Sequence, residues 1–214
     1  MKNFVFLTTF LSSISCFGQY SYDFSMPLPP GGTEIETVEK KYFGLYSNPE
    51  TDIKYEFSNN GNYSISTVFT SISRETIRES SKYTVKNGFL FGINGLDSIP
   101  CVAEGENYYF GIQHREKLFG KPSQNVLKRI SENKYLLNYE ENGHYTPCFI
   151  EFNGKKMRIQ HFTYVANSVA FDGIKNRKEN QTPELKYILL SPTLEEWDAI
   201  SMTDIVEAEI IFSK

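Results

Sequence analysis

Three cysteines, three histidines and one tryptophan in 214 residues leave little from which thiol or metal chemistry could be built. No Gly-x-Ser-x-Gly, Walker loop, dinucleotide fingerprint or His-Glu-x-x-His occurs, so the local signatures of the common enzyme classes are missing and no cofactor is implied. His114, His144 and His161 stand alone on separate extended stretches, which suits surface or satisfied core residues better than a metal set. No run of Lys or Arg is long enough to track phosphates. With 22 basic against 26 acidic side chains the net charge is −4, which argues against nucleic acid and anionic membrane surfaces as partners. No apolar run reaches the roughly 20 residues of a spanning helix, so no transmembrane span is expected. No Pro/Gly/Ser-rich linker divides the chain, which favours one domain over 42–214.

What is abundant is aromatic. Seventeen Phe and 14 Tyr make most of a 15% aromatic share, and such residues fit strands better than helices. Five Asn-Gly dipeptides occur where chance would give roughly one, and Asn-Gly is the strongest short hairpin signal. Ile53, Tyr55 and Phe57 alternate with Lys54, Glu56 and Ser58, the period of a half-buried strand. A three-residue loop, Asn59-Asn60-Gly61, would set Phe57 opposite Tyr63 and Tyr55 opposite Ile65. The pattern repeats at Asn87-Gly88, at Glu104-Gly105, at Asn142-Gly143 and at Asn153-Gly154, the last setting Ile150 opposite Met157 and Cys148 opposite Ile159. Phe89, Leu90 and Phe91 are apolar on both faces, as in an inner strand. The expectation is an all-β fold, an antiparallel meander of hairpins forming a barrel, a half-open barrel or a sandwich.

Residues 19–32 hold Pro27, Pro29 and Pro30 with Gly31 and Gly32 and read as a strap or tether. Thr33 and Glu36 offer a capping box for a short helix to Lys40. Residues 68–83 combine helical charge spacing at Arg74, Glu75, Arg78 and Glu79 with extended-chain formers; a long hairpin turning at 73–75 is the reading adopted. Residues 174–183 are polar and read as a loop. Ser191 as cap, Pro192 in the first turn and the stripe Leu194, Trp197, Ile200 predict a short helix before the last strand, and its dipole accounts for Glu195, Glu196 and Asp198.

Lys2, the apolar stretch 4–11 and the small residue Gly18 read as a signal peptide over 1–18, so export to the periplasm or beyond is expected. The alternative is a lipid anchor on Cys16. With Gln19 just after the cut, the chain resembles exported Bacteroidota proteins in general style. Cys101 and Cys148 would then meet an oxidising compartment. A bridge between them would contribute about 4 kcal/mol in the chain-entropy account, and two buried free thiols are the alternative.

Gly44-Leu45-Tyr46 after the segment 34–40, the run of hairpins, and the helix expected over 191–201 together resemble a lipocalin-type barrel. That resemblance implies a small apolar or amphipathic ligand in the interior or at the mouth. Tyr46 stands where that family has Trp, and its Thr-Asp-Tyr turn is missing. Tyr46, Tyr55, Phe57, Tyr63, Phe69 and Phe91 are the candidate pocket-lining residues, with plain core filling as the alternative. The expected function is a non-catalytic ligand-binding barrel; the second reading is a cell-envelope interaction or scaffold module engaging another exported protein. An empty interior favours the first, and a filled interior with an exposed aromatic face favours the second.

Overall fold

The structure is a computed structural model that describes residues 21–93, 95–162, 168–181, 186–201 and 205–214. The expected leader and Cys16 lie outside the described residues. Sixteen strands form one sheet. Along the chain they are β1 (Ser21–Phe24), β2 (Glu34–Ile35), β3 (Gly44–Ser47), β4 (Ile53–Ser58), β5 (Gly61–Ser73), β6 (Thr84–Lys86), β7 (Phe89–Phe91) and β8 (Ile99–Glu104). They continue as β9 (Asn107–Phe119), β10 (Val126–Arg129), β11 (Lys134–Glu141), β12 (His144–Asn153), β13 (Lys156–Phe162), β14 (Arg177–Gln181), β15 (Lys186–Leu190) and β16 (Val206–Ser213). Two short helices, α1 (Arg74–Glu79) and α2 (Leu194–Asp198), interrupt them. All pairings are antiparallel except one, β1 with β15. The fold is thus the expected all-β hairpin architecture with a short helix ahead of the last strand.

The order β10-β11-β12-β13-β16-β3-β4-β5-β9 curls around a core of 16 buried side chains, among them Tyr46, Phe57, Tyr135, Phe152 and Phe212. The ladder does not close. At the seam β2 pairs with the free side of β10, and the Asn62 Nδ2 donates to the Glu36 carbonyl at 2.9 Å, so a side chain bridges where a ladder would run. Asn125 ties the same edge, its Nδ2 donating to the Leu118 carbonyl at 2.8 Å. This is a half-open barrel.

Two further layers hang on it. On the outer face of β11–β13, β1, β15 and α2 bury Phe24, Leu136, Phe149, Phe162 and Trp197, so β11 and β12 are apolar on both faces, as Tyr135-Leu136-Leu137 and Cys148-Phe149-Ile150 require. On the other side, the two 13-residue strands β5 and β9 pair from Asn62–Phe119 to Ser73–Asn107, with one bulge beside Asn62. Their outer halves carry β8, β7 and β6 as an arm with its own small core of Leu90, Ile99 and Phe110.

Several local expectations change. In the β4–β5 turn Ser58 pairs with Gly61, so Phe57 faces Asn62 and Tyr55 faces Ser64: the loop is Asn59-Asn60, one residue shorter than expected. A slip of one residue turns each side chain of β5 to the other face, which puts Asn62 inward and Tyr63 outward. At the β12–β13 turn Asn153 pairs with Lys156 and Ile150 with Ile159; that slip is of two residues and keeps the same faces inside.

Segment 34–40 forms β2 and then a 3-10 turn at Lys40–Tyr42 instead of a helix, because β10 offers Glu34 and Ile35 a ladder. Conversely, 74–79 is helical: the Ser73 Oγ accepts from the Thr76 N–H at 2.9 Å, so capping and charge spacing prevail over a hairpin. Strand β1 gives the strap a ladder with β15, and β14 occupies part of the expected polar loop. In α2 the cap is Thr193, in a reciprocal box with Glu196, two residues later than Ser191.

The strap itself is clipped down. The Asn138 side chain, fully buried, accepts from the Leu28 N–H at 2.8 Å and donates to the Leu28 carbonyl at 2.9 Å. Lys128 buries its stem and donates from Nζ to the Pro27 and Pro29 carbonyls at 2.8 and 2.9 Å. Proline cannot donate, but its carbonyl accepts, so the Pro-rich segment is held entirely through its acceptors and Leu28.

Candidate interaction surface

Tyr46, Tyr55 and Phe57 point into the barrel, and there they meet other rings. The Phe152 ring stacks on Tyr42 at 4.5 Å between centroids and lies 5.7 Å from Tyr46, 5.4 Å from Phe57 and 5.9 Å from Tyr135. Tyr55 meets Phe212 edge-on at 5.0 Å. These are the separations of packed aromatic pairs, and the hydroxyl of Tyr46 donates to the Tyr42 carbonyl at 2.8 Å. Rings occupy the barrel centre.

Toward one end of the core the lining is polar. Tyr139, Tyr55 and Cys148 lie together there, and burial raises all three acids: the Cys148 thiol and the Tyr55 phenol to about 12, Tyr139 well above its ordinary range. His161, across the ladder from Cys148, is pushed below its ordinary value by burial. Groups in this state stay neutral at pH 7, and a neutral, buried thiol is neither a nucleophile nor a metal ligand. Among the described residues no three His, Cys, Asp or Glu side chains gather as metal ligands would.

Cys101 and Cys148 are free, so the bridge that the sequence left open beside two free thiols does not form, and only Cys148 is buried. Cys101 sits on β8 in the arm, opposite Phe110, whereas Cys148 sits on β12 in the barrel, opposite Leu137 and His161. The strands between them in the sheet order put the two thiols far beyond disulfide reach.

The other three candidates lie outside the barrel core. Tyr63, turned outward by the register slip, carries the Arg115 guanidinium 3.3 Å from its ring centroid, and Arg115 in turn pairs with Glu56 at 3.1 Å. Phe69 and Phe91 lie on the outer face of the arm. Register shows what joins them there. Phe69 faces Gly111, Tyr109 faces Val102, and Phe89 faces Pro100, so Phe69, Tyr109, Val102, Phe89 and Phe91 share one face. The opposite face holds Leu90, Ile99 and Phe110 with Ile77 of α1 packed on it.

The outer face is open: Phe69 is 68% exposed and Val102 69%, with Tyr109, Phe89 and Phe91 near 40%. Gly111 lets the Phe69 ring lie down over β9, since a Cβ there would meet Thr67 Cγ2 at 2.7 Å and Phe69 Cε1 at 3.3 Å. At ~150–250 Å² per aromatic side chain the five residues present on the order of 500 Å² of apolar surface, at the upper end of what monomers show. Lys86, Glu104, Gln113 and Arg115 rim the same face by strand alternation.

The sequence carried a signal for this surface in the apolar triplet Phe89-Leu90-Phe91. Reading both faces as buried hid it, because only pairing shows that α1 covers one face and nothing described covers the other. Comparison with protein-family models, with curated proteins and with solved structures gives no match to any of them.

Proposed function

We propose that this is an exported, non-catalytic interaction module that binds another envelope protein through the apolar outer face of the arm. The observation that carries it is the pairing of a ring-filled barrel with an open stripe of Phe69, Tyr109, Val102, Phe89 and Phe91. A core holds the scaffold rigid, and the stripe supplies the aromatic anchors, ringed by charge, that interface centres favour. An interior carrier would need open space where Phe152 and its four neighbours stand. The occupant fitting such a stripe is an apolar face of a second protein, a strip of aliphatic or aromatic side chains with a polar border.

The test is the double variant Phe69→Ser, Val102→Ser against the parent. Both side chains are mostly exposed, so the variant keeps the parent's thermal midpoint within a few degrees while losing the partner that co-purifies with the parent from its own producer. A variant that folds and retains the same partner stoichiometrically contradicts the proposal; so does a parent that self-associates through this face with no second protein.

A further inference from the structure

Strand β5 outruns its neighbour on one side. On β9 it is paired from Asn62 to Ser73, but on β4 only from Gly61 to Ser66. Among the described residues no strand lies beside Thr67 to Ser73 on the β4 side, which leaves an open edge roughly 23 Å long.

The phase of the ladder fixes what that edge offers. The Arg74 N–H donates to the Glu106 carbonyl at 2.9 Å, one step beyond the Ser73–Asn107 pair, so Arg74–Glu106 is a hydrogen-bonded pair. Such pairs alternate along an antiparallel ladder. Ile72, Thr70 and Val68 therefore direct their N–H and C=O groups at β9, and Thr67, Phe69 and Ser71 direct theirs away from it. The two-residue β4–β5 turn gives the same phase, since its closing pair Ser58–Gly61 has Tyr63 and Ile65 bonding to β4.

Proteins guard open edges with charge, proline, bulges or brevity. The other free edges here follow that rule: β14 carries Arg177, Lys178 and Glu179, β9 past β8 carries the polar run from His114 to Lys117, and β6 is three residues ending in Lys86. The run from Thr67 to Ser73 has no charge, no proline and no glycine. Val68 is 55% and Phe69 68% exposed, and as neighbours on a strand they lie on opposite faces of the sheet. Outward backbone groups at every second residue, with apolar contacts on both faces, fit another extended chain. A second copy fits poorly. Paired antiparallel about Thr70, its Ser73 would lie opposite Thr67 and its α1 would begin opposite Ser66, where Ile53 already stands in the ladder.

On the reading of the arm given above, on which this rests, we propose that the partner is held by strand addition. It lends an uncharged extended segment that pairs with Thr67, Phe69 and Ser71 and sets its own apolar side chains beside Phe69 on the outer face and Val68 on the inner one. The open stripe alone would bury roughly 1,000 Å² counted on both partners, short of a standard interface, and the added strand extends it without a break.

The probe is a capped synthetic peptide of alternating Val and Thr around one Phe, with Lys at each end, titrated into the ¹⁵N-labelled protein. Saturable binding is expected with a dissociation constant of about 1 mM or tighter, slowing hydrogen exchange of the Thr67, Phe69 and Ser71 amides at least about tenfold and leaving Val68 and Thr70 little changed. Ser71→Pro removes an outward N–H and spares the β9 ladder, so it should keep the thermal midpoint within a few degrees and weaken the peptide at least about tenfold. Should it fold poorly, Ser71→Lys guards the edge by charge and serves the same purpose. Phe69→Ser, Val102→Ser strips the stripe and leaves the edge backbone, so it should keep the alternating protection; loss of the edge and loss of the face are thereby read separately. No saturable binding, binding with those three amides unprotected, or binding unchanged in the Ser71 variant would each overturn the proposal. So would concentration-dependent protection of the same amides in the parent alone, which would assign the edge to a second copy.

Discussion

The two thiols differ in what surrounds them. Cys148 is fully enclosed, with its pKa raised to about 12, while Cys101 is only partly covered on the arm. Of these two thiols, native protein treated with iodoacetamide at pH 8 should therefore be labelled at Cys101 alone, and at Cys148 as well only after unfolding, as peptide mapping would show. A native sample that takes no label and gains mass only after reduction would restore the bridge. Ionisation of the same cluster sets the alkaline limit. Cys148 and Tyr55 have folded pKa values of about 12 against 9.0 and 10.0 when solvated, so the unfolded state loses these protons first. Their stability contribution is complete below about pH 9 and is lost as pH rises toward 12. Thermal midpoints across that range should fall for the parent, and less steeply for Cys148→Val; equal slopes would detach the thiol from the effect. His161 acts at the other end, because its folded pKa is lowered, and its contribution is lost as pH falls below 6.5.

At the scale of elements, the strap and the arm make opposite predictions. Asn138 satisfies both backbone groups of Leu28, so Asn138→Leu leaves a buried N–H and C=O without partners and should cost about 2–4 kcal/mol in denaturant unfolding. A cost under 0.5 kcal/mol would mean that the strap is not clipped there. In the arm, three fully buried side chains support β6, β7 and β8, against 16 in the barrel core. Hydrogen exchange should accordingly show β7 and β8 amides opening well before those of β11–β13. Gly92→Ala should hasten it, since Gly92 has φ +93 and an added Cβ would run into the Lys82 carbonyl.

Such elements were legible where chemistry is local: Asn87-Gly88 and Asn142-Gly143 adopt the positive φ angles their hairpins need, and the strand-rich sheet follows. Register was not. Whether Gly61 lies in the loop or in the strand decides the face of each β5 residue, and the β5–β9 ladder, which pairs residues from Ser73 with Asn107 to Asn62 with Phe119, settles it. That single slip is what buried Asn62, so its place at the seam could not be read from the residues alone. Segment 34–40 went astray for a similar reason: its capping pattern is helical, but the open side of β10 is a distant partner.

The whole molecule joins a well-packed barrel to a thinner arm with one covered and one open face. Among the described residues no helix is long and apolar enough to cross a membrane. On the function proposed above, the open face of the arm meets another protein. Site-specific photo-crosslinking in the producing cell tests it most directly, with a benzophenone side chain at Phe69 or Val102 and, as controls, at the exposed barrel turn residues Gly143 and Lys155. The expected result is one discrete heavier species from each arm position and none from the turns, with a second polypeptide identified in it. Adducts of equal yield from arm and turns, or an arm that crosslinks only to water and lipid, would contradict it.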